Sequence, residues 1–188
     1  MELFGRVKTG VWICILAVLL KPVGMKELPH THSCFVCGEA NAHGFKLRSE
    51  TDGKIVRTHF AFRSEHVGFK QTVHGGLTAT LLDEIMTWAC VVKAKRFAYC
   101  AELNVRYLHP VRPGQQLVAS AELVNNRRGR IFEAKAEMKD QLGTVLATAT
   151  GKYLPLKDAD AAGMATDFLG NISWLFEPAR ASTESARL

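Results

Sequence analysis

The sequence lacks several features that would assign it to a specialised class of protein. It contains no internal repeat. Its five cysteines are an odd number, and two of them fall in segments that read as protein core, which excludes a secreted disulfide framework. The apolar run Val11–Leu20 is shorter than the about 20 residues that span a bilayer. We therefore expect a cytoplasmic protein in a reducing compartment, without membrane association.

The composition is that of a soluble globular chain. With 188 residues, 47% of them apolar and 22% charged, the chain is long enough for one domain with an ordinary core. The net charge of +6 suggests an anionic partner, such as nucleic acid, a membrane surface or a phosphorylated small molecule. No nucleic-acid recognition motif is present, and the basic residues are not interleaved with aromatic ones, so we expect no nucleic-acid partner.

The two ends of the chain differ from its middle. Residues 1–24 carry the apolar run without a small-x-small cleavage site. We interpret them as an upstream in-frame extension, because Met25-Lys26-Glu27 looks like an ordinary start; a membrane anchor and an extra packed helix are the alternatives. Residues 25–156 are the predicted domain. Residues 157–188 are a predicted tail, with a short helix over Phe168–Phe176 followed by a disordered end.

The middle of the chain is organised around Val73–Cys90, VHGGLTATLLDEIMTWAC. The turn His74-Gly75-Gly76 leads into a helix, predicted over Gly75–Lys95, that is apolar nearly all round. This helix nevertheless carries Asp83 and Glu84. A carboxylate on such a helix lies either at a contact between chains or in a desolvated catalytic site.

Six segments of alternating pattern surround this helix. We predict two strands before it and four after it, with a Thr51-Asp52-Gly53 hairpin turn between the first two. The inward positions of the last strands are rich in small residues, which would let a bulky helix lie close to the sheet. This order predicts an α+β fold, with an antiparallel sheet around one central helix. The predicted strands are Phe45–Ser49, Lys54–Phe62, Tyr99–Leu108, Gln116–Val124, Ile131–Lys139 and Thr144–Leu154.

A single C-x-x-C motif, Cys34 to Cys37, follows His30 and His32. These are the ligand types that zinc prefers. A second C-x-x-C would make a strong signal, but only one is present and the histidine spacing is unusual. We therefore expect a loop whose thiols pack as small hydrophobic groups, with no metal bound; a zinc site is the alternative.

Three stretches together resemble the hotdog-fold acyl-CoA thioesterases of the PaaI-like and 4-hydroxybenzoyl-CoA thioesterase type. They are Cys34-Phe35-Val36-Cys37-Gly38, Val73-His74-Gly75-Gly76 with an acid nine residues after the histidine, and Ala101–Tyr107. The resemblance covers residues 34–154. It implies hydrolysis of an acyl-CoA thioester without a cofactor, by a homodimer or homotetramer whose active sites lie between two chains.

The same resemblance assigns roles to individual residues. The N–H group of Gly75, followed by Gly76, would bind the thioester oxygen at the helix N-terminus, where the helix dipole favours a developing negative charge. Asp83 would either activate water or attack the thioester itself. We expect His74 to hold the turn, although it could also position the substrate. Glu84 is the alternative acid.

Two positions depart from the pattern of the family. Gly68 stands where members often carry Asn or Gln, and the nearest polar side chain is that of Gln71. Cys100 stands where many carry Ser or Thr, and Thr87, one turn after Asp83, could replace its support. These departures keep a non-catalytic acyl-CoA-binding protein open as an alternative. A hydratase or dehydratase is a third interpretation.

A basic hairpin is the candidate contact for coenzyme A. Arg127, Arg128 and Arg130 lie close together in the sequence. Guanidinium groups suit the phosphates of the coenzyme A part of the expected substrate. The alternative is an ordinary solvated turn. The acyl group itself is not encoded in any pattern that we recognise.

Overall fold

The computed structural model of the protein describes residues 24–176. A long helix, α1 (Gly75–Ala94), packs against an antiparallel sheet, as predicted, but the sheet has seven strands instead of six. The strands of that sheet, in spatial order, are β1 (Lys26–Glu27), β3 (Ser49–Thr51), β4 (Ile55–Phe60), β8 (Leu117–Arg127), β9 (Ile131–Asp140), β10 (Val145–Pro155) and β7 (Ala98–Tyr107).

Two small strand pairs and one further helix complete the described part. Strand β2 (His30–Thr31) pairs with β11 (Phe168–Leu169), and β5 (Val67–Phe69) pairs with β6 (Thr72–Val73) immediately before α1. The second helix is α2 (Asp158–Ala165), and single 3₁₀ turns lie at Ser64–His66 and Ser173–Leu175. No helix within residues 24–176 has the length and apolarity to cross a membrane.

The core lies between α1 and the sheet, and small side chains make the contact close. The helix contributes large side chains that are fully buried, including Leu81, Leu82, Ile85 and Met86. The facing strands contribute a set of buried alanines, as the alternation predicted, because a small side chain leaves room for a bulky helix. These alanines are Ala119, Ala121, Ala134, Ala136, Ala147 and Ala149.

Two predicted elements are wrong. The strand predicted over Phe45–Ser49 begins only at Ser49, because Lys46 has a positive φ of 55° that breaks an extended ladder. The short helix predicted over Phe168–Phe176 is reduced to the 3₁₀ turn Ser173–Leu175. The alanine-rich residues Asp158–Ala165 form the helix instead, since alanine has the highest helix propensity, while Phe168 and Leu169 pair with β2.

The remaining boundaries agree with the predictions to within three residues. The largest difference is in β8, which continues to Arg127, so that the hairpin turn is confined to Arg128, Gly129 and Arg130. The first two of these residues have positive φ values of 54° and 71°. The predictions for residues 1–23 and 177–188 lie outside the described residues.

Candidate active site

The first part of the site is the turn that begins α1. The ring nitrogen Nδ1 of His74 accepts a hydrogen bond of 3.0 Å from the Gly76 N–H group, so His74 caps the helix. The hydroxyl of Tyr107 donates a hydrogen bond of 2.8 Å to the carbonyl oxygen of Gly75. The Gly75 N–H group has no acceptor within residues 24–176. It therefore offers a free donor at the positive end of the helix dipole.

A groove lies beside this free donor. It has a volume of about 380 Å³ and is lined by Thr72, Gly75, Thr78, Tyr107 and His109, among other residues. Because the groove meets the start of α1, a group that occupied it would lie next to the Gly75 amide.

The structure gives a physical reason for the glycine at position 68. A Cβ atom there would lie only 2.7 Å from both the Cα and the Cβ atom of His74, so any side chain would displace the capping residue. The Asn or Gln that the family resemblance led us to compare with this position would be too large for it. Gln71, which we predicted as the nearest polar replacement, is exposed with a positive φ of 57° in the hairpin between β5 and β6.

The second part of the site is Asp83, two turns further along α1. Its Oδ1 atom accepts a hydrogen bond of 2.9 Å from the hydroxyl of Tyr153, whose side chain is fully buried in β10. A β-bulge between Lys152 and Tyr153 shifts the register with β7. A Cβ atom at Gly151 would lie 2.7 Å from the Tyr153 ring, so the glycine leaves room for this tyrosine. Tyr153 thus fixes the orientation of the carboxylate.

Cys100 also faces Asp83, whereas Thr87 does not hold it. Burial, and then the neighbouring Asp83 carboxylate, raise the pKa of the Cys100 thiol to about 11. Burial and the same carboxylate raise the pKa of Tyr153. Both groups therefore stay protonated near neutral pH. The Tyr153 hydroxyl donates its hydrogen bond to the carboxylate, whereas the Cys100 thiol donates to the carbonyl oxygen of Glu102 at 3.6 Å. Within residues 24–176, Thr87 makes no side-chain hydrogen bond with Asp83.

The two parts of the site are far apart in one chain. Gly75 and Asp83 are separated by eight residues of α1, which corresponds to about 12 Å along a helix that rises about 1.5 Å per residue. Both lie next to β7, one of the two edge strands of the sheet. Tyr107, at one end of the strand, contacts Gly75, and Cys100, near the other end, faces Asp83.

Glu84, the alternative acid, belongs to a different cluster. Its carboxylate accepts a hydrogen bond of 3.1 Å from Trp88 Nε1 and faces Cys34 and Cys37, with candidate ligand atoms of the three residues within 4.8 Å of one another. Burial, and then Cys34, raise the pKa of Glu84 to about 7. Hydrogen bonding by Cys37 lowers the pKa of Cys34 to about 5, and the same interaction raises that of Cys37.

The basic hairpin lies at the other end of α1. Arg127 forms an ion pair of 2.5 Å with Glu133, and Arg128 and Arg130 are exposed beside the turn. Arg96, which follows α1, donates a hydrogen bond of 3.5 Å to the carbonyl oxygen of Gly129. Within one chain the hairpin therefore meets the C-terminal end of α1, not the Gly75 end.

Comparison with known proteins identifies a similar domain. Residues 70–147 match the sequence profile of the thioesterase superfamily. The chain is 29% identical over 126 residues to human and Pongo abelii acyl-coenzyme A thioesterase 13, which covers 66% of this chain and 79% of those proteins.

Solved structures show the same fold. A thioesterase superfamily protein has a TM-score of 0.60 at 25% identity, over 66% of this chain and 60% of that one. The PaaI protein of E. coli, from the phenylacetic acid degradation operon, has a TM-score of 0.56 at 19% identity, over 63% of this chain and 86% of that one. The predicted hotdog fold and the predicted resemblance are confirmed.

Sequence reasoning missed the two tyrosines that hold the site. Tyr153 continues the inward alternation of its strand after Ala147, Ala149 and Gly151, so the pattern could have marked it as buried. Nothing in the pattern of β10 or β7 indicates that Tyr153 reaches Asp83 or that Tyr107 reaches Gly75, because these contacts join residues 70 and 32 positions apart.

Proposed function

Because the chain carries a thioesterase-superfamily domain with the hotdog fold, we propose that it is an acyl-CoA thioesterase that hydrolyses its substrate to a free acid and coenzyme A. The observation that carries the proposal is the free N–H group of Gly75 at the start of α1, combined with a carboxylate on the same helix that a buried tyrosine orients. The similarity to acyl-coenzyme A thioesterases supports the substrate class.

In the proposed reaction, the Gly75 amide donates a hydrogen bond to the carbonyl oxygen of the thioester and stabilises the oxyanion that forms. Asp83 takes a proton from a water molecule whose oxygen attacks the carbonyl carbon. The C–S bond then breaks, and the thiolate of coenzyme A takes up the proton. Attack by Asp83 itself, followed by hydrolysis of the anhydride, is the alternative route with the same products.

One chain cannot bring both groups to one thioester, because about 12 Å of helix separates Gly75 from Asp83. A hydrogen-bond donor and a base that act on the same carbonyl group must both lie within hydrogen-bonding reach of it or of its attacking water. We therefore propose that Gly75 of one chain works with Asp83 of a second copy, which requires at least a homodimer.

The edge strand β7 is the proposed contact between the two chains. It is ten residues long and pairs only with β10 in the described chain, so its other edge has unpaired backbone groups. Antiparallel pairing of two copies of β7, centred between Leu103 and Asn104, would set Tyr107 of one chain opposite Cys100 of the other. Tyr107 contacts Gly75 and Cys100 faces Asp83. This pairing would therefore bring Gly75 of each chain close to Asp83 of the other and form two equivalent sites per dimer.

The exposed arginines are proposed contacts for the phosphates of coenzyme A. Arg128 and Arg130 have no carboxylate partner within residues 24–176, whereas Arg127 is paired with Glu133. We expect replacement of Arg128 and Arg130 by alanine to raise KM for acyl-CoA without changing kcat. An unchanged KM at low salt would remove the hairpin from the proposed site.

The cytoplasmic location stays a prediction from cysteine usage.

The central test is thiol release across a panel of acyl-CoA substrates. We expect Asp83→Asn to lower kcat by at least about 100-fold, since general acid–base groups contribute about 10²–10⁴-fold. Asp160→Asn, at an exposed position of α2, is the matched control, and Glu84→Gln tests the alternative acid. Undiminished turnover by a folded Asp83→Asn variant would refute the mechanism. Tight binding of acyl-CoA by the wild type without thiol release would indicate a binding protein instead.

A further inference from the structure

A second cluster of reactive side chains lies where the loop before β3 meets α1. Cys34 and Cys37 lie at the two ends of a tight turn, and Glu84 approaches them from the helix. One candidate ligand atom from each residue lies within 4.8 Å of the other two, although Glu84 is about 50 positions away in the sequence. The mechanism proposed above uses none of these three groups.

The loop is held in a shape that directs its thiols to one point. The Gly38 N–H group donates a hydrogen bond of 2.9 Å to the Cys34 carbonyl oxygen, and the Val36 N–H group donates one of 3.2 Å to Cys34 Sγ. A Cβ atom at Gly38 would lie 2.2 Å from that carbonyl oxygen, so the turn requires a glycine. Arg48 ties the end of the turn through a 2.9 Å hydrogen bond to the Cys37 carbonyl oxygen. The two thiols are thus preorganised.

The carboxylate is oriented in the same way and has no cationic partner. Trp88 Nε1 holds one of its oxygens at 3.1 Å, in the manner of the outer hydrogen bonds that orient metal ligands. None of the ion pairs within residues 24–176 includes Glu84. Glu84 is partly buried, and a carboxylate that loses hydration needs compensation. A divalent cation would supply that compensation and would also accept the thiolates as ligands.

We propose that Cys34, Cys37 and Glu84 bind a zinc ion that fastens the N-terminal loop to the helix carrying Asp83. Two thiolates and a carboxylate match the borderline-soft character of Zn²⁺, and three protein ligands leave one position of a tetrahedral site for water. The ligand set differs from the histidine and cysteine set suggested by the sequence, because His30 is hydrogen-bonded to Glu39 at 3.0 Å and is not in the cluster.

The test is the metal content of the full chain, expressed without a histidine tag and purified without chelators. We expect inductively coupled plasma mass spectrometry to find equimolar zinc in the wild type. We also expect a thiolate-to-metal charge-transfer absorption band when Co²⁺ replaces the zinc. Cys34→Ser and Glu84→Gln should each lose most of the zinc. Trp88→Phe keeps all three ligands and should weaken zinc retention against a competing chelator by about 10–100-fold.

Cys100→Ser is the matched control, since Cys100 is also a thiol facing a carboxylate of α1 but lies outside the cluster. It should retain zinc fully. Circular dichroism identifies any variant that fails to fold. Cys34→Ser and Glu84→Gln each remove one ligand, so the zinc content of either variant tests the proposal if the other does not fold. Three results would overturn the proposal: wild type that binds neither zinc nor Co²⁺, equal loss of zinc in Cys100→Ser, or a Cys34–Cys37 disulfide in metal-free protein purified under non-reducing conditions.

Discussion

Replacing Gly75 with proline would test the oxyanion donor with little disturbance of the fold. Gly75 is the first residue of α1, where proline is favoured because its fixed φ suits a helix start. His74 has φ −59° and ψ 128°, the extended conformation that a residue before proline prefers. The lost N–H group is one that no residue of the described chain accepts. The substitution therefore removes the proposed catalytic donor and no intrachain hydrogen bond.

The expected effect follows from the energetics of oxyanion stabilisation. Loss of one such donor costs about 10²–10³-fold in kcat, or about 2.7–4 kcal/mol of transition-state stabilisation. Steric effects are measured separately with Gly75→Ala, which keeps the N–H group and adds a Cβ atom 3.3 Å from Cζ of Tyr107. Since Tyr107 is half exposed, its ring can shift by the few tenths of an ångström required.

The measurement is steady-state thiol release from the best substrate of the panel, with thermal unfolding of each variant as the check on folding. We expect the proline variant to lose at least about tenfold more kcat than the alanine variant. If both variants fold and turn over substrate at similar rates, the Gly75 amide is not the oxyanion donor, and the assignment of the site to the start of α1 fails.

Two further predictions concern the division of the site between chains and the packing of its turn. Mixing Asp83→Asn with Gly75→Pro under conditions of subunit exchange should restore about one quarter of wild-type activity, because half of the dimers are mixed and each has one intact site; activity equal to that of the separate variants would exclude a shared site. Gly68→Ala should lower the free energy of unfolding by about 1–3 kcal/mol, since its Cβ would overlap His74. Gly163→Ala, with open space around it, should not destabilise the protein, and equal Tm values for the two variants would contradict the packing argument.

The helix and the four strands after it were predictable because their patterns are local. The long apolar stretch after His74-Gly75-Gly76 can bury its side chains as a helix. The strict alternation in Ile131–Lys139 can bury one face as a strand. The strand predicted over Phe45–Ser49 failed for a different reason. Phe45 and Leu47 are buried like strand residues. Their N–H groups, however, donate hydrogen bonds to the carbonyl oxygens of Phe35 and Val36 in the N-terminal loop that carries Cys34 and Cys37. Burial alone could not distinguish this loop packing from a strand.

The sequence by itself determined the central helix and the class of fold, since a turn and an apolar helical stretch are properties of one continuous segment. The family resemblance carried by that segment predicted Gly75 and Asp83 as site residues. Only the tertiary structure decided how the two acids differ. Tyr153 lies in β10 and orients Asp83 by a hydrogen bond, whereas Cys34 and Cys37 lie in the N-terminal loop and face Glu84. Adjacent carboxylates on a helix point in directions about 100° apart. Their neighbours therefore come from distant parts of the chain, and chain folding alone assigns one acid to the proposed hydrolysis and the other to the proposed metal site.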